Sequence, residues 1–171
     1  MKYVFLDVDG VLNNIYTESR TPCGYLGISR KLVKNLASVI RATDAIIILI
    51  SDWKIGWESF DFCCSDDAKY LNAELAKERL RILGKTYDNH VYDQYFEDKG
   101  KGIKSFLINQ KNVESFVVID DHIFSDFDED ILNRLVKTDT NKGFTEEDAG
   151  RAIEILSQPC VEKKGNANGH I

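Results

Sequence analysis

The sequence predicts an α/β domain in which a mostly parallel β-sheet carries helices on both faces. Three observations predict it. Short apolar runs alternate along the chain with stretches of helical periodicity, the order that builds βαβ units. Those runs are continuous rather than alternating, as strands buried on both faces require. Three of them also stop at polar residues: Asp7 and Asp9, then Ser51, then Asp120 and Asp121. Parallel strands put such ends on one edge of a sheet, where open α/β folds place their chemistry.

Val4-Phe5-Leu6 reads as the first buried strand, and Gly10 breaks the pattern just after Asp7-Val8-Asp9. Ser29 as N-cap predicts a helix to about Arg41, with Leu32, Val33, Leu36, Ala37 and Ile40 on one stripe. The apolar run 45–50 is the second strand. Asp66 or Asp67 is expected to cap the next helix, which carries Leu71, Leu75 and Leu83 and ends at Gly84. A polar loop rich in Tyr and Asp runs to about Asp98, and 102–109 reads as a short helix with Ile103, Phe106 and Leu107 inward. Residues 116–119 form another buried strand, and 135–137 a short one. Thr145-Glu146-Glu147-Asp148 resembles a capping box with Asp for Glu, opening a helix with Ala149, Ala152, Ile153 and Leu156 inward. The expected organisation is one domain over 1–158 and a polar, frayed tail over 159–171.

The chain has 171 residues, 43% hydrophobic and 29% charged, an ordinary globular balance with enough length to bury a core. No apolar run reaches the length that crosses a bilayer, and a strand starting almost at Met1 leaves no room for a signal peptide. A cytoplasmic location without a membrane partner is expected. Cys23, Cys63, Cys64 and Cys160 show neither a C-x-x-C pair nor zinc spacing and read as free thiols. The net charge of −6 argues against broad affinity for nucleic acid.

Between Ser51 and Asp120 lies Lys99-Gly100-Lys101-Gly102-Ile103, a basic step into a helix. On one sheet edge, several acids, a hydroxyl and a lysine would converge, and the chemistry that needs this set is phosphoryl transfer. A carboxylate can attack phosphorus. Charge opposes that attack, so a cation must offset it. Mg²⁺ suits carboxylates plus phosphate oxygens, and a lysine adds a second positive charge. A neighbouring acid can protonate the leaving oxygen and then activate water.

These stretches, Asp7-Val8-Asp9-Gly10-Val11, a strand ending in Ser51, Lys99 before a helix and Asp120-Asp121 after a strand, resemble the four ordered motifs of the haloacid-dehalogenase-like (HAD) superfamily. The resemblance covers roughly residues 1–156. It implies a Rossmann-like three-layer sandwich and a Mg²⁺-dependent phosphatase. Carried over, it makes Asp7 the nucleophile, Asp9 the acid/base, Ser51 with Asp52 and Lys99 the phosphoryl-binding residues, and Asp7, Asp9, Asp120 and Asp121 the metal residues. Asp9 would contribute its backbone carbonyl to the metal. An acid at position 9 favours phosphate-ester hydrolysis over dehalogenation. Lys101 and Lys104 also lie near Lys99, which best fits the family pattern; Asp120 stands ahead of Asp121 as direct ligand.

Ser51-Asp52-Trp53-Lys54, Gly84-Lys85-Thr86, Lys99 with Ile103, and 138–156 with its Gly143-Phe144-Thr145 resemble a small capless HAD subgroup associated with RNA-repair systems. About forty residues separate Asp9 from Ser51, and about as many separate Lys54 from Lys99; neither gap holds a full cap domain. A minimal cap and an open site follow. Such a site admits a phosphorylated small molecule or a nucleic-acid end, and no obligate protein partner is inferable.

Two rival classes remain. A signalling receiver domain also uses acids, a hydroxyl, a lysine and Mg²⁺, but in a different order along the chain. The other is a non-catalytic or weakly active module that binds phosphorylated ends within a nucleic-acid repair or signalling system. An EF-hand is excluded because Leu12 sits where that loop needs Gly. Trp53 and Trp57 are expected to pack, with base stacking as the alternative. His122 reads as a loop histidine, and Asp126, Asp128, Glu129 and Asp130 as a solvated helix start.

Overall fold

From the N-terminus the chain builds β1 (Lys2–Leu6), α1 (Arg30–Thr43), β2 (Ile46–Leu49), a 3-10 turn (Asp52–Lys54), the hairpin strands β3 (Trp57–Ser59) and β4 (Phe62–Cys63), and α2 (Asp66–Ala76). Then follow β5 (Ile82–Lys85), α3 (Lys99–Ile108), β6 (Ser115–Asp120), α4 (Glu129–Leu132), β7 (Leu135–Lys137) and α5 (Glu146–Ser157). The computed structural model describes residues 1–87 and 98–160.

Five strands form a parallel sheet in the order β5-β2-β1-β6-β7. The centre strand shows why the sequence from Tyr3 to Leu6 is apolar. Val4 and Leu6 enter a core shared with α1, α2 and α5, whereas Tyr3 and Phe5 enter a second core with α3 and α4. β2 and β6 divide in the same way: Ile47, Leu49, Val117 and Ile119 face the first core, Ile48, Phe116 and Val118 the second. With both faces covered, polar residues on these strands fall at the ends, as Lys2, Ser115 and Asp120 do. This is the Rossmann-like three-layer α/β fold that the sequence predicts.

The helices on which the sequence agrees are α1, whose buried stripe includes Leu32, Val33, Leu36 and Ala37, and α5, whose capping box between Thr145 and Asp148 is complete. Ser29 occupies the N-cap position of α1, but its side chain makes no capping bond. Several expectations need correction. The helix expected to run to Gly84 ends at Ala76: Arg79 adopts a positive φ of 61° and Leu80 N–H donates back to Leu75 O, which closes α2. Leu83 instead lies on the edge strand β5, 63% exposed. The cap of α2 is Ser65, whose hydroxyl accepts from Ala68 N–H, and Asp66 and Asp67 occupy the first turn.

The helix expected from Gly102 begins at Lys99. Gly100 permits this, because a Cβ there would meet Asp126 O at 2.5 Å. Asp126 is not simply a solvated helix residue: its Oδ2 accepts from Lys101 N–H at 2.9 Å, while Asp128 caps α4. The β3–β4 hairpin has no counterpart in the sequence reading. At the C-terminus, Arg134 donates to Pro159 O and Cys160 N–H donates to Glu114 O, so the chain is held through Cys160. The rest of the expected tail, 161–171, lies outside the described residues, as does much of the expected polar loop, 88–97.

All four cysteines are free. Among the described residues no helix is long and apolar enough to cross a membrane, and there is no separate cap domain.

Candidate active site

The sheet ladder continues past the strand ends and carries the polar residues with it. Asp7 N–H donates to Ile119 O and Ile50 N–H to Leu6 O, each at 3.0 Å, so the first acid and the residue before Ser51 are still held by neighbouring strands. Thr138 N–H likewise donates to Asp120 O at 3.0 Å. One cleft of about 240 Å³ at this edge is lined by all seven residues singled out from the sequence: Asp7, Asp9, Ser51, Asp52, Lys99, Asp120 and Asp121. A larger groove of about 620 Å³, beside β5, α3 and the hairpin, contains none of them.

Lys99 is the hub. As the first residue of α3 it sends its side chain into the cleft, where Nζ lies 2.8 Å from Asp7 Oδ1 and 2.7 Å from Asp120 Oδ2. The Phe124 ring lies 4.5 Å from the same ammonium. All three charged residues are buried, with Asp120 only 1% exposed. Burial disfavours charge on Asp7 and pushes its carboxyl up to about 7; Lys99 pulls it back, and the Asp120 charge adds to the rise. Burial also raises Asp120, partly offset by Lys99. For Lys99, burial opposes the charge, but Asp7 and then Asp120 outweigh it and hold the ammonium above the usual lysine value. Lys101 points elsewhere, to an exposed ion pair with Asp98, and Lys104 pairs with Asp128.

Ser51 is buried at the start of the 3-10 turn after β2. Asp120 Oδ1 accepts from His122 N–H at 2.9 Å. Asp121 Oδ1 pairs with the exposed His122 Nδ1 at 2.8 Å, and its Oδ2 accepts from Thr140 Oγ1 at 2.8 Å. Gly10, with φ of 69°, makes room for this carboxylate, since a Cβ there would sit 2.3 Å from Asp121 Oδ2. Asp120, Asp121 and His122 can each bring one ligand atom within 4.8 Å of the others. Together with Asp7 they offer mainly carboxylate oxygens, a hard donor set that fits Mg²⁺ better than a soft metal.

The family model described as "HAD domain in Swiss Army Knife RNA repair proteins" matches residues 3–149. The chain belongs to that family. No curated protein and no solved structure gives a match. Membership of this HAD family agrees with the parallel sheet and with the Asp120–Asp121 acid cluster, and points to a hydrolase of the HAD type.

Three contacts in this HAD domain were not found from sequence. Trp53 Nε1 donates to Asp9 Oδ2 at 2.9 Å, Asn13 Nδ2 donates to Asp9 Oδ1 at 2.8 Å, and Thr140 supports Asp121. The available signal was position: Trp53 is two residues after Ser51, and Asn13 four after Asp9. Trp57, by contrast, is buried and packs, with Nε1 donating to Asn72 Oδ1 at 3.0 Å.

Proposed function

We propose that this HAD domain is a Mg²⁺-dependent phosphomonoester hydrolase working through an aspartyl-phosphate on Asp7. The observation that carries the reading is the buried Lys99 ammonium bridging Asp7 and Asp120 in a cleft that Asp9 also lines. A nucleophile facing a phosphate dianion needs such a fixed positive charge beside it.

In the first half-reaction an Asp7 carboxylate oxygen bonds to phosphorus, and the bond to the leaving oxygen breaks. Asp9 gives that oxygen its proton. In the second, water attacks phosphorus, Asp9 takes the water proton, and the acyl-phosphate P–O bond breaks to restore Asp7 and release inorganic phosphate. The Ser51 hydroxyl donates to a phosphoryl oxygen, with Asp52 beside it, and Lys99 offsets charge on the transferring group. Asp7, the Asp9 carbonyl, Asp120 and Asp121 would hold Mg²⁺, which would supply further neutralisation of the phosphoryl oxygens. The substrate is a phosphorylated small molecule or a nucleic-acid end, and four free cysteines suit a reducing, cytoplasmic setting.

Hydrolysis of an aryl phosphate with Mg²⁺ tests the reading. Turnover lost on Asp7→Asn and in EDTA supports it. Turnover surviving Asp7→Asn removes Asp7 as nucleophile. A folded, Mg²⁺-binding protein without turnover on aryl, nucleotide or nucleic-acid end phosphates would instead support the phosphate-end binding module.

A further inference from the structure

We infer that Trp53 and Asn13 form a two-donor clamp on Asp9, and that Trp53 is a positioning residue for proton delivery to the leaving group. The inference rests on the phosphatase reading. It starts from a contrast within the cleft. Asp7, Lys99 and Asp120 are buried and fix one another through ion pairs, whereas Asp9 is exposed and its carboxylate accepts from two neutral donors. Exposed aspartate side chains exchange rotamers readily, and a small misplacement of a proton donor costs much of its effect.

The clamp removes that freedom. Asn13 is 1% exposed and is itself fixed, because its Oδ1 accepts from Gly10 N–H at 2.9 Å while its Nδ2 reaches Asp9 Oδ1. Trp53 sits in the 3-10 turn directly after Ser51, half-buried against the first core, so its ring is anchored where its N–H meets Asp9 Oδ2. An indole nitrogen only donates, which sets the direction of the bond without ambiguity. Neither Trp53 nor Asn13 lines the cleft, whereas Asp9 does. The two donors therefore hold the carboxylate from outside the cleft and leave its inner side for substrate. Trp53 also ties the second motif to the first, linking the phosphoryl-binding serine and the acid/base through one rigid ring.

Trp53→Phe keeps an aromatic ring, though a smaller one, and deletes the donor. The assay compares an alkyl phosphate, whose poor leaving group needs protonation, with a nitrophenyl phosphate, whose leaving group does not. Trp53→Phe is expected to lower kcat on the alkyl ester about 10-fold, part of the roughly 10²–10⁴-fold that general acid catalysis supplies. On the nitrophenyl ester the loss should stay within about 2-fold, with KM unchanged on both. Equal losses on the two esters would overturn the positioning role, since a merely structural defect does not distinguish leaving groups.

A second readout does not need turnover. The chain has two tryptophans, hence two indole N–H signals in a ¹⁵N-correlated NMR spectrum, and Trp53→Phe assigns them. Asp9→Ala should move the Trp53 signal and leave that of Trp57, whose partner is Asn72. Two unmoved signals would overturn the clamp even in an active enzyme. A wild type inactive on both esters and on nucleotide and nucleic-acid end phosphates sinks the phosphatase reading, and Trp53 as an aid to proton delivery with it, whatever the indole signals do.

Discussion

Replacing Lys99 by Met removes the ammonium that bridges two buried carboxylates while keeping the aliphatic stem. In the wild type without metal, Asp7 titrates at about 7 rather than its ordinary 3.8, which corresponds to about 4 kcal/mol of preference for the neutral acid in the fold. An acid raised in this way binds more protons folded than unfolded, so it subtracts stability as pH climbs from about 4 through about 7. Lys99 is charged throughout that window, and its own raised value keeps it so. Without it, Asp7 and Asp120 stay protonated in the fold to higher pH. At about pH 5.5, where Asp7 is already neutral, Lys99→Met should cost the lost hydrogen bonds, about 1–3 kcal/mol. At about pH 8 the loss should reach about 3–5 kcal/mol, the range for breaking a buried pair, rising by about 1.4 kcal/mol for each further pH unit over which Asp7 alone stays neutral. Urea unfolding in EDTA at the two pH values measures this, with Lys101→Met as comparator: its partner pair is exposed and should cost below about 1 kcal/mol. A pH-independent loss, or equal losses for the two lysines, would refute the reasoning.

Two further predictions concern stability. Gly10→Ala should cost about 1–3 kcal/mol in thermal or urea unfolding, because the positive φ and the Asp121 carboxylate both reject a Cβ. An unchanged midpoint would mean that the turn can relax. Thr145→Ala should cost about 1 kcal/mol by losing the α5 capping box, read as a lower urea midpoint at constant m-value.

The parts of the fold that could be read from sequence are those whose burial is two-sided. Residues 3–6 of β1, all of β2 and residues 116–119 of β6 are apolar because each face of each strand meets its own core. β5 has a weak sequence signal because it is a short edge strand: Ile82 is buried, Leu83 is exposed, and Gly84 and Lys85 complete it, so Leu75 and Leu83 fit one helix stripe equally well. The start of α3 is hidden by Gly100, whose close approach to the Asp126 backbone is visible only in three dimensions. The β3–β4 hairpin depends on Asn72, which accepts from Trp57 and donates to Phe60 O, contacts that no local pattern announces. In the site, Asp7, Ser51, Lys99 and Asp120 could be located because strand ends and a helix start place them. Trp53 and Asp9 lie 44 positions apart, and nothing in periodicity joins them.

The ladder bonds that extend past the strand ends tie Asp7 to the slowest-opening part of the molecule. The Asp7 amide belongs to the central pairing between β1 and β6, so its hydrogen should exchange with solvent only when the whole sheet separates. Fraying at the edges, at β5 or β7, leaves it untouched. A preparation then contains intact sites and unfolded chains with little between them, and counting the protected Asp7 amide counts the intact sites.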